Sequence, residues 1–341
     1  MKRTLLLAVF CAWFTLGGAA NASAAQAWAV IDAETGRLLD GANEDAPLPI
    51  ASLTKIWTAL TYLESGVEQG EITISPAAAS SEGSSIYLKS GTAVQDKTLL
   101  YGLMLRSGND AAHALAEHAG GSVEGFVQLM QEKAIFYGLD KTVFTNPSGL
   151  HDERHLSTAY ETGLMLRFAM ENETFREIAT AKKHVYQNEE NTYHWRNKHR
   201  LLHSEPTAIA GKTGFTKAAG RTLATYFEKD DKKIIVVTLN DPNDWETHLG
   251  LAEKTFSTFK RVTIAKKGVY NIFPGVRAEL KEPIELLIKK GEKEKLSNVL
   301  LVPRGKQPTA TGVWTVSFNH EPIVATDVVI RQTKERSATS K

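Results

Sequence analysis

Cysteine is almost absent from the 341-residue sequence, and its single occurrence, Cys11, lies within an apolar run near the N-terminus. The chain downstream of this run can therefore form no disulfide, no thiolate zinc site and no cysteine nucleophile. Any covalent catalysis must use an oxygen atom or a lysine nitrogen.

An excess of charge of either sign is also lacking, because 40 Lys and Arg stand against 39 Asp and Glu and leave a net charge of +1. This balance gives no electrostatic reason to expect nucleic acid as a partner or attraction to a membrane surface. After the N-terminal run, no stretch is long and apolar enough to cross a bilayer. The apolar fraction of 42% is ordinary for a globular protein, and the length suffices for two or three domains.

The N-terminus has the pattern of a secretory signal peptide. Lys2 and Arg3 precede an apolar run at residues 5–16, and Ala-x-Ala patterns end at Ala22 and Ala24. An uncleaved anchor helix is the alternative, but the run is shorter than the ~20 residues that span a bilayer. We therefore expect an exported protein that acts outside the cytoplasm, in the cell wall or at the outer face of the membrane.

Hairpin patterns at both ends of the first 266 residues enclose a helical middle. Residues 29–39 and 222–239 each read as two strands around a polar turn. Between them, apolar residues recur at helical spacing from residue 52 to residue 170, and residues 245–261 also look helical. The simplest arrangement is an α/β fold of the α+β type, with one antiparallel sheet built from both ends and a helical subdomain packed on it.

The remainder of the chain changes in character after residue 266. Short strand-like runs alternate with Gly, Pro and charged turns, which is typical of a small all-β domain. We therefore divide the chain into a signal peptide at 1–24, a first domain at 25–266 and a β-rich domain at 267–341. The polar tail at 332–341 is expected to be mobile.

The first candidate for chemistry is a serine and a lysine three residues apart at a predicted helix start. Ser52 and Lys55 would share one helix face. A serine hydroxyl needs a neighbouring base, and a lysine can be that base only if burial or nearby positive charge lowers its pKa. Alone the pattern is weak, because serine is a common N-cap and such a lysine is usually solvated.

Two further short motifs follow along the chain. Ser107 and Asn109 lie in a tight loop between two predicted helices, where ordinary helix capping is the alternative explanation. Lys212, Thr213 and Gly214 open a strand, where an ammonium and a hydroxyl can face a groove that glycine lets a ligand approach. An ordinary strand start would also explain them.

Together the motifs S-x-x-K, S-x-N and K-T-G, in this order on a helix start, a loop and a strand, indicate a serine acyl-enzyme. With them, the stretches YGLMLRSGNDAAHALAEHAGGS, NPSGLHDERHLSTAYE, GKTGFTKAAGRTLAT and NDPNDW resemble the D-alanyl-D-alanine carboxypeptidase family of low-molecular-weight penicillin-binding proteins. The resemblance spans nearly the whole chain after the signal peptide. It implies a penicillin-binding/β-lactamase-like transpeptidase fold, and NDPNDW and YGLMLRSGND are similar to sporulation-associated members.

The resemblance implies roles for the catalytic residues. Ser52 would be the nucleophile that the substrate acylates, and Lys55 would take its proton. Ser107 would pass a proton to the leaving D-alanine, and Asn109 would hold the substrate amide.

The same resemblance implies a substrate-binding set. Lys212 and Thr213 would bind the substrate carboxylate, and Gly214 completes their motif. The backbone amides of Ser52 and Phe215 would bind the oxyanion. Lys198 matches, loosely, a basic residue that helps bind the terminal carboxylate in relatives. The implied partners are peptidoglycan stem peptides and β-lactams, with no metal or organic cofactor.

Three features depart from the family pattern. Glu161 stands where relatives often have Asp, and His199 replaces a common Asn. Many relatives end in an amphipathic helix that lies on the membrane, whereas the ending RQTKERSATSK has no apolar face. We therefore expect membrane contact to be peripheral at most.

Other clusters fit ordinary explanations better. His151, Asp152 and His155 do not form an H-E-x-x-H metal motif. The basic run at 196–200 beside Trp195 is short, and a solvated face explains it better than a nucleic-acid site.

Three other functions compete with carboxypeptidation. A class A β-lactamase would carry a deacylating glutamate, of which we find no convincing motif, and it would lack the β-rich domain. An endopeptidase that cuts cross-links stays open. A non-catalytic peptidoglycan binder or penicillin sensor would be expected to have lost Ser52, Lys55 or Lys212, and all are present.

Overall fold

The computed structural model describes residues 25–188, 190–303 and 309–332. The predicted signal peptide at 1–24 and most of the predicted polar tail lie outside these residues. Within them, the chain up to Thr258 contains nine strands and nine α-helices. The strands are β1 Ala27–Asp32, β2 Leu38–Ala42, β3 Glu71–Thr73, β4 Ala93–Gln95, β5 Lys183–Gln187, β6 Thr192–Arg196, β7 Ala208–Thr216, β8 Gly220–Lys229 and β9 Lys232–Leu239. The helices are α1 Thr54–Leu63, α2 Pro76–Ala79, α3 Asp96–Tyr101, α4 Asn109–Gly120, α5 Val123–Phe136, α6 Ala159–Glu171, α7 Glu173–Thr180, α8 Leu201–Ser204 and α9 Asp244–Thr258.

One antiparallel sheet joins the two hairpins that the sequence predicts. Its strand order is β2-β1-β9-β8-β7, and β1 lies against β9 with Val30 opposite Val236. Because β1 comes from the start of the domain and β9 from its end, the prediction of a sheet built from both ends is confirmed. Strand β7 lies at one edge of this sheet.

Helices cover both faces of the sheet, which explains the continuous apolar run in β9. Ile235 and Val237 pack into the core under the helical subdomain, whereas Ile234 and Val236 pack with α9 on the opposite face. Side chains alternate between the faces of a strand, so an apolar residue at every position indicates burial on both sides.

Helix α1 runs through the centre of the helical subdomain. Nine of its ten residues are buried, and the Trp57 indole donates a hydrogen bond to the Met130 carbonyl of α5 at 2.9 Å. The helix is therefore a rigid support for residues at its N-terminal end.

The predicted helix at residues 245–261 is too long at its C-terminal end. Helix α9 ends at Thr258, and β10, Lys260–Ala265, pairs with β13, Ile284–Ile288. The Arg261 side chain contacts Glu34 at 2.6 Å and Glu285 at 3.2 Å. Long-range pairing therefore overrides the helical pattern at this point.

The C-terminal part forms the predicted small β domain. The strands of its main sheet are β11 Gly268–Phe273, β12 Val276–Leu280, β14 Leu296–Leu301, β15 Thr309–Phe318 and β16 Glu321–Gln332. Their order in the sheet is β11-β12-β16-β15-β14. The fold class is thus confirmed, whereas the domain limits of 25–266 and 267–341 stay a prediction, and β10, just before that limit, pairs with β13.

A buried arginine connects the two parts. Arg37, just before β2, donates to the Leu287 carbonyl at 2.7 Å and pairs with Glu292 at 2.9 Å. Its guanidinium also lies 4.2 Å from the centre of the Phe318 ring. Across the described ranges, no helix is long and apolar enough to span a membrane.

Candidate active site

Ser52 lies in a short 3-10 turn, Ala51–Leu53, directly before α1. Ala51 has a φ of 49°, a left-handed conformation that is unusual for a residue with a side chain. The Ile50 carbonyl accepts a hydrogen bond from Thr222 Oγ1 of β8 at 3.0 Å. A Cβ atom on Gly214 would lie only 3.0 Å from the Ser52 amide nitrogen. The third motif therefore passes close against the serine, and glycine permits this approach.

Lys55 is fully buried and points its ammonium at three oxygens. Nζ lies 3.0 Å from Ser52 Oγ, 2.7 Å from Asn109 Oδ1 and 2.5 Å from the Ser148 carbonyl. Burial lowers the pKa of Lys55 well below its ordinary value, and the positive charge of Lys212 lowers it further. The lysine is therefore placed and tuned to exchange a proton with Ser52.

The second motif begins directly after a π-helical turn, Gly102–Arg106. Ser107 follows it with a left-handed φ of 64°, and Asn109 begins α4. The Asn109 amide nitrogen Nδ2 donates to the Glu82 carbonyl, which leaves Oδ1 to accept from Lys55. Both predicted residues of this motif thus face the same site as Ser52.

Lys212 of β7 is buried and contacts the second motif. Its Nζ donates to Ser107 Oγ at 3.0 Å and to the Thr213 carbonyl at 2.8 Å. Burial lowers the pKa of Lys212 to about 7, and the charge of Lys198 contributes. Burial also lowers the pKa of Lys198, with a further effect of Arg106. Lys55 therefore contacts Ser52, Lys212 contacts Ser107, and the charges of Lys198 and Lys212 both disfavour protonation of Lys55.

These residues open onto a cleft of about 570 Å³ along the edge strand β7. Phe215 is 66% exposed at its rim, whereas Thr213 and Gly214 are partly buried. The cleft is lined by Ser52, Ser84, Ser107, Lys198, Thr213, Gly214, Phe215, Arg221, Thr222, Asp244 and Trp245. All nine residues that the motifs and the resemblance single out lie in this cleft or directly beneath it.

Residues 146–150 hold the nucleophile region, and the motif search missed them. Asn146 Oδ1 accepts hydrogen bonds from the amides of Ser148, Gly149 and Leu150. This turn directs the Ser148 carbonyl at Lys55. The only signal in the sequence was the resemblance of NPSGLHDERH to the family.

Asp110 is a second buried residue that the sequence analysis left out. Its carboxylate accepts hydrogen bonds from the amides of Ile86 and Leu88 and from the Ser85 hydroxyl. It therefore fixes the loop that carries Ser84 into the cleft. Its position beside Asn109 in the S-G-N-D run was the available signal.

Two of the three histidines named in the sequence analysis have structural contacts. His155 is buried, with Nε2 2.8 Å from Thr54 Oγ1, and burial lowers its pKa to about 4. His199 is also buried, with Nε2 2.9 Å from Thr225 Oγ1, and burial lowers its pKa to about 3. Among the described residues, no group of three or more His, Cys, Asp or Glu side chains could hold a metal ion.

The geometry agrees with a match to a known family. The model of the D-alanyl-D-alanine carboxypeptidase family, Peptidase_S11, matches residues 16–243. The chain belongs to the D-alanyl-D-alanine carboxypeptidase family. This membership confirms the predicted enzyme class, a serine-type D-Ala-D-Ala carboxypeptidase that acts on peptidoglycan. Sensitivity to β-lactams is typical of these carboxypeptidases.

Individual relatives support the same assignment. The D-alanyl-D-alanine carboxypeptidase DacF of Bacillus subtilis is 32% identical over 77% of this chain and 72% of its own length. DacB2 of Mycobacterium tuberculosis is 31% identical over 63% of this chain and 74% of its own length.

Solved structures are similar in fold. Penicillin-binding protein 5 of Haemophilus influenzae superposes with a TM-score of 0.74 at 22% identity, over 90% of this carboxypeptidase-family chain and 96% of its own. A D-alanyl-D-alanine carboxypeptidase of M. tuberculosis gives 0.65 at 30% identity, over 69% and 91%. The first likeness includes the C-terminal β domain.

Proposed function

We propose that Ser52 is the acylated nucleophile of this carboxypeptidase and that Lys55 is its base. The observation that carries the proposal is the Lys55 ammonium, buried within 3.0 Å of Ser52 Oγ and with a lowered pKa. Neutral Lys55 accepts the Ser52 proton as Oγ attacks the carbonyl of the penultimate D-alanine. The geometry of nucleophile and base within hydrogen-bond reach supports these roles.

The leaving D-alanine takes a proton through Ser107, which accepts a hydrogen bond from Lys212. Water then attacks the Ser52 ester, with Lys55 again as base, and releases the shortened peptide. Asn109 holds the substrate amide. The backbone amides of Ser52 and Phe215 bind the oxyanion, and the close approach of Gly214 to the Ser52 amide supports this pairing.

The cationic side of the cleft binds the substrate carboxylate. Lys212, Thr213 and Lys198 line or underlie the part of the cleft that also contains Ser107. A terminal carboxylate there would raise the lowered pKa values of both lysines, because an opposite charge favours the protonated form. Binding of substrate and retention of the lysine charges thus reinforce each other.

We further propose that the enzyme is exported by its N-terminal signal peptide and acts on wall peptides outside the cytoplasm. The positively charged start, the apolar run and the Ala-x-Ala patterns support export. The association with sporulation stays a prediction that rests on the sequence resemblance.

Release of D-alanine from diacetyl-lysyl-D-alanyl-D-alanine tests the proposed function. The protein should release D-alanine, and Ser52→Ala should abolish both release and labelling by a β-lactam. Labelling of Ser52→Ala at another residue would exclude Ser52 as the nucleophile. Labelling of the wild-type protein without any D-alanine release would favour a sensor or a β-lactamase.

A further inference from the structure

Two aromatic side chains lie in the catalytic cleft and take no part in the proposed bond making and breaking. Phe215 follows the third motif, and its side chain is exposed at the rim of the cleft. Trp245 comes from the first turn of α9 and also lines the cleft. Aromatic rings offer large apolar contact surfaces. A bound peptide therefore meets apolar surface here as well as polar groups.

The strand register places Phe215 on the same face of the sheet as Thr213. Side chains two residues apart in a strand point to one face, and Arg221 of β8 lies directly opposite Phe215 in the ladder. Thr225, which shares this face of β8, contacts His248 of α9 at 2.8 Å. Thr213, the proposed ligand of the substrate carboxylate, thus lies on the face that α9 covers.

Arg221 and Asp244 hold the Trp245 indole beside this face. Arg221 Nη2 donates to Asp244 Oδ1 at 2.6 Å, and the Trp245 amide donates to the same oxygen at 2.8 Å. The Arg221 guanidinium lies 5.8 Å from the centre of the indole ring. Since Arg221 is opposite Phe215 in the sheet, the two aromatic residues border one part of the cleft.

His199 places the indole next to the second carboxylate ligand. Its ring packs edge-to-face against Trp245, with the ring centres 5.3 Å apart. A Cβ atom on Gly211, the residue before Lys212, would lie only 2.6 Å from His199 Nε2. His199 therefore adjoins both the indole and the backbone that carries Lys212. Trp245 thus lies at the end of the cleft where the carboxylate binds.

The side chain of the leaving residue is the part of the substrate that reaches this place. In the terminal residue of a peptide, the carboxylate and the side chain are attached to the same α-carbon. A carboxylate held by Lys212 and Thr213 therefore brings that side chain close to Trp245 and Phe215. Because Phe215 is exposed at the rim, this end of the cleft is open to a side chain longer than the methyl group of D-alanine.

We propose that Phe215 and Trp245 form a subsite for the side chain of the leaving residue, so that the enzyme also removes larger apolar D-residues, such as D-leucine, from peptide ends. We call this pair the aromatic subsite. The inference rests on the proposed function and names a further class of substrate for the same site. D-alanine offers the aromatic subsite one methyl group, whereas a branched apolar side chain would bury more apolar surface against the rings.

The bonds that change are those of the proposed function. Ser52 Oγ forms an ester with the carbonyl of the penultimate D-alanine, and the amide bond to the terminal D-residue breaks. The departing amine takes one proton through Ser107. Water then hydrolyses the ester, which restores Ser52 and leaves a D-alanine carboxylate at the end of the shortened peptide. The aromatic subsite acts only by binding the residue that leaves.

Three peptides that differ only in their last residue test the aromatic subsite. They are diacetyl-lysyl-D-alanyl peptides that end in D-alanine, D-leucine or D-asparagine. The side chains of leucine and asparagine have the same branched shape, so this pair separates apolar contact from size. We expect kcat/KM of the full-length enzyme to be roughly tenfold higher for the D-leucine peptide than for either of the others, as methylene-sized groups in an apolar site provide.

Aromatic variants assign the preference to the two rings. Trp245→Ala should lose most of the preference for D-leucine, whereas Trp245→Phe should keep a larger part because an aromatic ring is retained. Phe215→Ala is a second variant at an exposed position, where the fold depends little on the side chain. Phe273→Ala removes a similarly exposed ring from β11 and should leave the preference as in the wild type. Labelling of Ser52 with a fluorescent β-lactam counts the folded sites in each preparation.

The D-alanine peptide distinguishes failure of the aromatic subsite from failure of the proposed function. If the wild type cleaves this peptide but cleaves the D-leucine peptide more slowly, or cleaves the D-leucine and D-asparagine peptides at one rate, the aromatic subsite is wrong. An unchanged preference in both Trp245→Ala and Phe215→Ala would also overturn it. Absence of release from all three peptides, with Ser52 still labelled, would instead overturn the proposed function.

Discussion

The Lys212 ammonium donates a hydrogen bond to the Ser107 hydroxyl at 3.0 Å, although 105 residues separate them in the chain. A second lysine makes the matching connection, because Lys55 contacts both Ser52 and Asn109. The three motifs are thus joined by two buried ammonium groups. Burial lowers the pKa of Lys55, and the charge of Lys212 lowers it further, since like charges disfavour the protonated form.

Removal of the Lys55 amine should nearly abolish acylation of Ser52. We expect Lys55→Ala to slow β-lactam acylation and D-alanine release by roughly 100- to 10,000-fold, the range for loss of a general base. Stopped-flow labelling with a fluorescent β-lactam measures the acylation step. Lys229→Ala, at the exposed β8–β9 turn, serves as the control. Near-normal acylation of Lys55→Ala would remove Lys55 from the role of base.

The pH dependence of kcat/KM should be bell-shaped. Activity should rise as pH increases through the Lys55 pKa, because only the neutral amine accepts a proton. Activity should fall above about pH 7, because Lys212 of the substrate-free enzyme then loses the positive charge that binds the substrate carboxylate. Lys212→Arg keeps the cation at all these pH values and should shift the falling limb upward. A falling limb that stays in place in this variant would assign it to another group.

A methyl group on Gly149 should disturb the nucleophile turn. Gly149 has a φ of +78°, and a Cβ atom there would lie 1.9 Å from the Ala51 carbonyl oxygen. Gly149→Ala should lower the free energy of unfolding by at least about 1–3 kcal/mol and slow acylation of Ser52.

Gly250→Ala is the matched control for this change. Gly250 lies in α9 with no atom within 4 Å of its added Cβ, so alanine should stabilise the protein by about 0.5–1 kcal/mol. Thermal unfolding and β-lactam labelling compare the two variants. Equal behaviour of both would contradict the close contact between Gly149 and Ala51.

Stability should decline at acid pH because buried histidines stay neutral. The pKa of His199 is lowered to about 3, so below about pH 6.5 the unfolded chain binds a proton at this residue that the folded chain does not. The contribution of His199 is complete above about pH 6.5 and is lost as pH falls toward 3. Between these limits, this difference lowers the free energy of unfolding by roughly 1.4 kcal/mol per pH unit.

His199→Asn should remove the part of the pH dependence of the free energy of unfolding that comes from His199. Denaturant unfolding at several pH values between about 4.5 and 7.5 measures it for both proteins. The slope of the free energy of unfolding against pH should differ between the two proteins by an amount that corresponds to about one bound proton. Identical slopes would show that His199 does not titrate differently in the folded and unfolded states.

The sequence was a good guide to segments whose periodicity matches their burial. The hairpins around residues 29–39 and 222–239 and the helices α5 and α6 were all predicted. The end of α9 was not, because Arg261 belongs to a strand that pairs with residues 284–288. A local pattern does not reveal a partner that lies more than twenty residues away.

The sequence by itself determined the three motifs, their order and the types of element that carry them, and these sufficed for the family and the enzyme class. Only the tertiary structure decided that the Ser148 carbonyl holds Lys55 and that Trp245 lines the same cleft as Phe215. The physical reason is that each residue type fixes the functional group of its own side chain. The burial that tunes a lysine, and the backbone oxygen that orients it, arise only when distant segments pack together.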